Sequence, residues 1–524
     1  GTYVPGTPLG DEACAGFFFQ TEIATPQGAL RLYSDDAWRT QRARCWPAGG
    51  YQRWYLKALQ ERFDARLYPR GWNEPEFDAS RWRHAKVLGI EPGRPVLQGV
   101  PADLWRDDWR LAPRTVPMMR EQPVLPMKIS GAGWVDWKAP PAEYFDCFPT
   151  DAFTERADPS VIVERKSALL PLKLAAPGKR SAVVTFDFGQ EVCGFPFVRF
   201  RAPAGTVVEM LFVEAQAPKA LLLRTAPQYG QWIRVIARDG ETHYEAFEWD
   251  ALRYLQLAVR GSSEPVEILE CGVTERVYPY PHQPVLKTPD EAINRGVEGT
   301  IRTHLVTSQD TIMDNVTRER QQYAGDVDHA KLTSYYGFGE YRQAARTIRT
   351  YAQGQNKEGW FMDCWPAWDR CERLWQKSLG LTQWGPILDH GVNFVIATAL
   401  HYLFSADKAT VEEVYPKLLL FDRFLNENIG RDGLLPVEWV RNSVWIDHRG
   451  FKTQIDKQAS FNIYYVGMLR DGIARLAEWM GERSVVDSAR KRAAEMTGCI
   501  RKVFWADEHS LFVDNLPRLR EDGE

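Results

Sequence analysis

Two patterns of hydrophobic and polar residues divide the chain into a β-rich first half and a helical second half. In the first half, apolar residues alternate with polar ones in short runs, and the clearest run contains Val184, Phe186 and Phe188. A period of two is typical of a strand, and Gly189 is predicted to end this one. Similar runs, separated by turn residues, continue to about residue 275 and predict a β-sandwich over residues 176–280.

The first 175 residues also carry short apolar runs and turn signals, and they show no helical periodicity. Aromatic residues are frequent in this region, for example between Glu61 and Ala85. We therefore predict one or more β-rich modules over residues 1–175, joined by long, proline-rich connections.

The apolar period lengthens to about four after Pro281. Ile293 and Leu305 belong to a set of apolar residues that repeats every four positions, as in an amphipathic helix. Thr288 and Pro289 suit the N-cap and the first helical position, so this helix is predicted to begin there. Further helices are predicted over residues 339–354, 387–405, 411–429, 458–481 and 484–504. Consecutive antiparallel helices form either a solenoid or a closed α/α toroid, and the spacing leaves both open.

Charged residues are concentrated where the two patterns meet, between Gln309 and Ala330. Thr317 is suited to cap a helix with Glu319 in its first turn, and Asp326 would then share the face of Glu319. Asp314 would fold back towards Glu319. Three ionised carboxylates drawn together repel one another, so one of them is expected to have a raised pKa. That group could act as a general acid, while the other two stay ionised and bind hydroxyl groups. A solvated, charge-rich helix start would explain the same residues.

The residues DNVTRERQQYAGD, from Asp314 to Asp326, resemble the signature of glycoside hydrolase family 78, the α-L-rhamnosidases. The family signature is roughly Asp-Cys-Pro-x-Arg-Glu-x-x-Gly-Trp-x-Gly-Asp. The matching residues are Asp314, Arg318, Glu319, Gly325 and Asp326. Asn315 and Val316 stand in place of Cys-Pro, and Tyr323 stands in place of the tryptophan.

The resemblance implies an inverting hydrolase that releases terminal α-L-rhamnose, with Glu319 as its general acid. The residues implied in sugar binding are Asp314, Arg318, Tyr323 and Asp326. For residues 281–524 the resemblance implies an (α/α)6 barrel whose last helices lie beyond the sequence, and for residues 1–175 jelly-roll modules. The catalytic base would then be a glutamate beyond residue 524, with Glu438 as the best stand-in within the chain.

Tryptophan is unusually frequent, with 20 residues, and several of them lie between Gly359 and Trp384. Indole faces suit the apolar ring face and the methyl group of a deoxyhexose. Together with the family resemblance, this pattern predicts that Trp365, Trp384 and Trp439 bind sugar. Tryptophans that brace loops against one another would give the same pattern.

Composition argues against several other classes of protein. A net charge of -4 gives no reason to expect nucleic acid or an anionic membrane as a partner, and no apolar run is long enough to predict a membrane span. The eight cysteines are scattered and lack a histidine pair, so a structural zinc site is not expected. We predict no metal at the active site and no cofactor, and metal binding in the β domains stays open. The expected partner is a rhamnose-containing carbohydrate. Oligomeric state and compartment stay open.

Two other functions are compatible with the sequence. Tyr323 and the altered Asn315-Val316 pair would also suit a related toroid glycosidase that acts on another terminal sugar. A non-catalytic carbohydrate-binding protein would keep the aromatic residues, but it would not need an acid held neutral. Gly1 is not a natural start, so we expect this sequence to be an internal part of a longer protein.

Overall fold

The computed structural model describes residues 17, 19–47, 60–87, 113–138, 153–165, 168–217, 220–221, 223, 231–365, 387–437, 444–446 and 453–514. Two compact units are present. The first comprises Gly1–Pro92, Met119–Val277 and Val316–Glu319. The second comprises Gly93–Met118, Tyr278–Asn315 and Arg320–Glu524. The change from strands to helices along the chain is confirmed.

Strands dominate the described residues of the first unit. The strands are β1 (Gln20–Thr25), β2 (Gly28–Tyr33), β3 (Arg39–Thr40), β4 (Arg62–Asp64), β5 (Arg83–His84), β6 (Arg120–Val124), β7 (Lys128–Trp137), β8 (Phe153–Ala157), β9 (Ile162–Arg165), β10 (Leu172–Leu174), β11 (Ser181–Ala202), β12 (Val207–Val213), β13 (Trp232–Ile236), β14 (Gly240–Glu245), β15 (Asp250–Arg260), β16 (Val266–Val277), β17 (Trp505–Ala506) and β18 (Leu511–Phe512). β1 pairs with β2, β3 with β5, and β17 with β18, the last pair in the second unit. The other strands form one large sheet.

The large sheet is organised around β11, which pairs with β7, β14, β15 and β16. Val184 and Phe186 belong to one hydrophobic cluster, whereas Val183 belongs to another. Consecutive residues of β11 therefore point into two different cores, as the period of two predicts. Both faces of the strand are covered, so every residue from Ser181 to Phe188 is buried.

The prediction that Gly189 ends this strand is wrong. β11 continues to Ala202, and Gly189 lies in a bulge where the pairing with β15 shifts between Asp187 and Val192. The φ angle of Gly189 is +77°, a conformation that glycine adopts at little cost. Its N–H donates to Asp187 Oδ1 at 2.8 Å. Glycine thus bends a continuous strand here, and a single sequence signal does not distinguish a bulge from a strand end.

One strand pair joins distant parts of the sequence. β4 runs parallel to β13, with Phe63 opposite Val235, and forms one end of the sheet's strand order. Just before β4, the Glu61 carboxylate accepts hydrogen bonds from the backbone N–H groups of Phe247 at 3.0 Å and Glu248 at 2.8 Å. These contacts attach the segment around β4 to the large sheet.

The second unit is mainly helical. Its described helices are α1 (Glu291–Thr307), α2 (Ala324–Thr333), α3 (Arg342–Ala352), α4 (Leu388–Ser405), α5 (Lys408–Glu427), α6 (Gln458–Gly467), α7 (Ala474–Met480) and α8 (Arg483–Phe504). A π-helical stretch, Met468–Ile473, joins α6 to α7. The helices predicted from residue 339 onward are confirmed to within about three residues at each end. No described helix is both long and apolar enough to cross a membrane.

The predicted start of α1 is wrong by two residues. Asp290 caps this helix, because its Oδ1 accepts the N–H groups of Ala292 at 2.8 Å and Ile293 at 3.4 Å. The Thr288 hydroxyl instead accepts the N–H of Asp290 at 3.2 Å. Asp290 therefore satisfies the unpaired helical N–H groups that the prediction assigned to Thr288.

A buried polar network ties α1 to its neighbours in the second unit. The Tyr280 hydroxyl lies 2.8 Å from His304 Nε2, 2.9 Å from Ser308 Oγ and 2.8 Å from Gln343 Oε1. Burial lowers the pKa of His304 to about 4. His304 is therefore neutral in the folded protein at pH 7 and accepts or donates hydrogen bonds without a charge.

We expect the free energy of unfolding to fall as the pH drops from about 6.5 to about 4. His304 stays neutral in the fold over this window, whereas in the unfolded chain it takes up a proton, so protons favour the unfolded state. His401, whose pKa burial also lowers to about 4, acts in the same direction. Each contributes about 1.4 kcal/mol per pH unit, or about 3 kcal/mol over the window. Urea unfolding at a series of pH values measures this slope.

The control for this measurement is His509→Gln, at an exposed position. His304→Gln should flatten the slope of stability against pH, and His509→Gln should leave it unchanged. Equal slopes in wild type and His304→Gln would show that His304 does not govern acid sensitivity.

Candidate active site

Residues 309–323, all of which the structure describes, form no helix. Asp314 and Gln321 are paired instead: the Asp314 N–H donates to the Gln321 carbonyl at 3.0 Å, and the Gln321 N–H donates to Asp314 Oδ1 at 2.8 Å. Arg320 lies next to this pair with a φ of +54°, in the left-handed region. A left-handed residue interrupts α-helical geometry, so α2 begins only at Ala324.

The prediction that Thr317 caps a helix containing Glu319 is therefore wrong. Tyr323 occupies the N-cap position of α2, and its side chain makes no capping hydrogen bond. The Thr317 hydroxyl donates to Glu214 Oε1 at 3.0 Å. Glu319 lies before the helix and Asp326 within its first turn, so the two do not share a helical face.

Glu319 is buried, with 7% of its surface exposed. Arg318 Nη2 lies 2.7 Å from Glu319 Oε1, while 48% of the Arg318 side chain remains exposed. An arginine–carboxylate pair restricts the orientation of the carboxylate. Glu319 is thus a carboxyl group in a restricted orientation and largely shielded from water, which suits proton transfer at a defined position.

The two aspartates of the segment differ in their surroundings. Asp314 is half-buried, and its two oxygens accept hydrogen bonds from the Gln321 N–H and the Asn315 side-chain amide. Asp326 is exposed in the first turn of α2, where the helix dipole favours a negative charge. Asp314 is therefore fixed by its neighbours, whereas Asp326 faces solvent.

Tyr323 is held by a histidine that sequence reasoning missed. The rings of Tyr323 and His390 meet edge to face, 5.9 Å apart at 88°. A Cβ atom on Gly325 would lie 2.6 Å from His390 Nε2, so glycine allows the first turn of α2 to approach the ring this closely. His390 Nδ1 lies 3.0 Å from the carbonyl oxygen of Asp363 and must carry a proton to make that hydrogen bond.

Two family models match the chain. Residues 281–517 match the bacterial alpha-L-rhamnosidase 6 hairpin glycosidase domain, and residues 178–274 match the bacterial alpha-L-rhamnosidase concanavalin-like domain. The fold of the family 78 rhamnosidase of Bacillus sp. GL1 is similar, with a TM-score of 0.75, 18% sequence identity and coverage of 96% of this chain and 68% of that one. The chain belongs to glycoside hydrolase family 78.

Two further solved structures share the fold. The rhamnosidase from Klebsiella oxytoca with rhamnose bound has a TM-score of 0.59 and 16% identity, over 76% of this chain and 73% of that one. The Streptomyces avermitilis α-L-rhamnosidase complexed with L-rhamnose has a TM-score of 0.65 and 16% identity. The match covers 94% of this family 78 chain but only 39% of the Streptomyces enzyme. No protein of curated function matches the chain.

Trp365 of this family 78 chain lies in the helical core. Only 2% of its surface is exposed, and a Cβ atom on Gly354 would lie 2.8 Å from its indole Cγ. Such burial leaves almost no indole face for a ligand and favours the packing role that the sequence also allowed. The other predicted tryptophans, Trp384 and Trp439, and the candidate base Glu438 lie outside the described residues.

Trp445 is a second aromatic residue whose position is fixed, here by Asp389, which the sequence analysis did not single out. Asp389, in the first turn of α4, accepts the N–H groups of Trp445 at 2.8 Å and Ile446 at 3.0 Å. The Lys457 ammonium lies 5.5 Å from the centre of the Trp445 ring. Desolvation lowers the pKa of this ammonium. Asp389 and Lys457 thus hold the described part of the Trp445 loop. The sequence offered only one indication that Asp389 has such a role, namely its position at a helix start.

α2 also carries a buried ion pair beyond Asp326. Asp328 and Lys331 are both buried and hydrogen-bonded to each other, and Asn393 Nδ2 lies 3.4 Å from Asp328 Oδ2. Burial raises the pKa of Asp328 even though the Lys331 ammonium opposes that shift. The Asn393 side-chain amide, which also donates to the Ala324 carbonyl at 3.1 Å, links α2 to α4. Within the described parts of the chain, no group of three or more histidine, cysteine, aspartate or glutamate side chains could hold a metal ion.

Proposed function

We propose that this chain is the catalytic part of a glycoside hydrolase that releases terminal α-L-rhamnose with inversion, and that Glu319 is its general acid. The observation that carries the proposal is the burial of Glu319, of which 7% is exposed, within a segment that matches the family signature. In this reaction Glu319 gives its proton to the glycosidic oxygen as the bond to the sugar breaks.

An inverting enzyme needs a second carboxylate to activate water on the opposite face of the sugar, at about 6.5–9.5 Å from the acid. Of the residues in the chain, Glu438 is the best stand-in for this base. We also place the reaction in an (α/α)6 barrel over residues 281–524, preceded by a β-sandwich over residues 176–280 and jelly-roll modules over residues 1–175.

The sugar is bound by charged groups and one aromatic ring. Carboxylates such as Asp314 and Asp326 accept strong hydrogen bonds from sugar hydroxyls, and Arg318 can donate to sugar oxygens. Tyr323, fixed edge to face by His390, is 9% exposed, and we propose that the exposed part of its ring contacts the sugar ring or its methyl group. The predicted sugar-binding residues Trp365, Trp384 and Trp439 stay predictions, and Trp365 has little exposed surface to offer a ligand.

The proposal is tested with a panel of aryl glycosides that includes α-L-rhamnoside, using the full-length gene product and proton NMR to follow the anomeric signal. We expect release from the rhamnoside, with the β-anomer of rhamnose appearing first because inversion places water on the opposite face. First appearance of the α-anomer would contradict inversion. Release from a different sugar alone would favour another toroid glycosidase, and a folded protein inactive on rhamnosides of every kind would favour a binding protein.

A further inference from the structure

Beside the β3–β5 pair lies a cavity of about 470 Å³, and the charged residues among its described lining are all arginines: Arg42, Arg44 and Arg83. We propose that this cavity binds a sugar residue that carries a carboxylate, as part of a saccharide chain. The cavity lies in the first unit, and this proposal does not depend on the hydrolytic function proposed above.

The cavity is framed by segments that are anchored at both ends. Thr40 of β3 pairs with Arg83 of β5, which sets the positions of the two backbones. The chain then passes through Arg42 and Arg44 to Cys45, which is fully buried and whose carbonyl accepts the Asp64 N–H at 2.8 Å. The arginine-bearing segment is therefore held by strand pairing on one side and by attachment to β4 on the other.

Aromatic packing fixes the far end of the same segment. The Trp46 ring, which also lines the cavity, lies 5.0 Å from the ring of Phe63 and 5.0 Å from that of Phe247. Trp46 is only partly buried by these contacts. The cavity thus has an immobilised aromatic wall next to flexible cationic side chains, a combination that suits a ligand with both an apolar face and a charge.

The positive charge of the cavity lining favours an anionic ligand. Two other arginines of this region have carboxylate partners: Arg66 Nη2 lies 2.7 Å from Asp64 and Arg31 Nε lies 2.9 Å from Glu22. Among the residues that the structure describes, no carboxylate lines the cavity, and none is paired with the three arginines that do. Like charges gathered in one concavity attract an anion, and the planar guanidinium fork matches a carboxylate through two parallel hydrogen bonds.

The remaining lining groups select a sugar over a bare ion. Thr40 and Gln41 supply a hydroxyl and an amide, which can donate to and accept from sugar hydroxyls, and Trp46 supplies a ring face. A volume of about 470 Å³ exceeds what a small inorganic anion fills and lies in the usual range of small-molecule sites. A uronic acid residue combines a carboxylate, hydroxyls and an apolar ring face.

The test is calorimetric titration of the full chain with a galacturonic acid trisaccharide, with its methyl ester as the matched neutral ligand and inorganic phosphate as a competitor. We expect saturable binding of the acid, and at least about tenfold weaker binding of the methyl ester, because charge-assisted hydrogen bonds to arginine are lost. The double variant Arg44→Gln with Arg83→Gln should lose at least about tenfold in affinity for the acid.

The matched control is Arg120→Gln, an exposed arginine of β6 outside the cavity, which should bind the acid like wild type. Melting temperatures equal to wild type would show that both variants are folded. Equal binding of the acid and its methyl ester, an equal loss in Arg120→Gln, phosphate competing as well as the trisaccharide, or no saturable binding would each overturn the proposal. Hydrolysis of a small aryl rhamnoside should not change in the double variant, so the outcome is independent of the test for hydrolysis.

Discussion

Replacing Glu319 with glutamine is expected to lower turnover by about 10²–10⁴-fold on a rhamnoside with a poor leaving group. The amide keeps the size of the side chain but has no proton to give to the glycosidic oxygen. On an activated aryl rhamnoside, whose leaving group departs without protonation, the loss should be much smaller. Turnover on matched substrates of increasing leaving-group pKa measures this dependence.

Two results would argue against this role of Glu319. Near-normal turnover on the poor leaving group would remove Glu319 from acid catalysis. An equal loss on all leaving groups would point to a role in binding or folding, since only protonation makes the effect depend on the leaving group. Glu298→Gln, on the exposed surface of α1, is the matched control and should leave turnover unchanged.

Replacing Gly325 with alanine is expected to destabilise the fold by about 1–3 kcal/mol and to lower kcat/KM by about 10²-fold. The added Cβ would lie 2.6 Å from His390 Nε2, so the ring or the first turn of α2 must move. His390 holds Tyr323 edge to face, and its movement would displace the aromatic ring proposed to contact the sugar. Thermal unfolding and steady-state kinetics on the aryl rhamnoside measure the two effects.

The helical unit supplies a matched control for this substitution. Gly299 lies in α1, and a Cβ atom there would meet nothing within 4 Å. Gly299→Ala should therefore stabilise the protein by up to about 1 kcal/mol, since alanine favours a helix over glycine. Adding His390→Ala to Gly325→Ala should restore part of the lost stability. Destabilisation that persists in full would place the clash elsewhere than at His390.

The spacing of apolar residues predicted the strands and helices well, because the residues that point into a core recur at the period of the strand or helix. Val184 and Phe186 alternate because they point into one hydrophobic cluster, and the helices after residue 339 have bounds close to those that their apolar spacing predicts. Local signals at single residues were less reliable. Asp290 caps α1 where the sequence predicted Thr288, and Gly189 bends a strand without ending it.

The candidate site was located by its signature, but its conformation was not predictable from spacing. The left-handed φ of Arg320 and the Asp314–Gln321 pair prevent the helix that the spacing of Glu319 and Asp326 suggested. His390 was missed because its contact with Gly325 joins residues far apart in sequence, and no pattern in a single sequence marks such a contact. The burial of Trp365 against Gly354 was not predictable either, because the sequence does not distinguish a tryptophan packed in a core from one that binds a sugar.

The parallel pairing of β4 with β13 has a consequence for how the protein can be dissected. β4 is three residues long, yet it covers one side of β13, of which four of the five residues, from Trp232 to Val235, are buried. A shortened protein that starts after Asp64 would leave the backbone N–H and C=O groups of β13 that face β4 without partners, while those that face β12 stay paired. Unpaired strands of this kind readily recruit strands from other molecules. Separating the sheet from the residues before β4 would therefore favour aggregation, even though most of the sheet's strands would still be present.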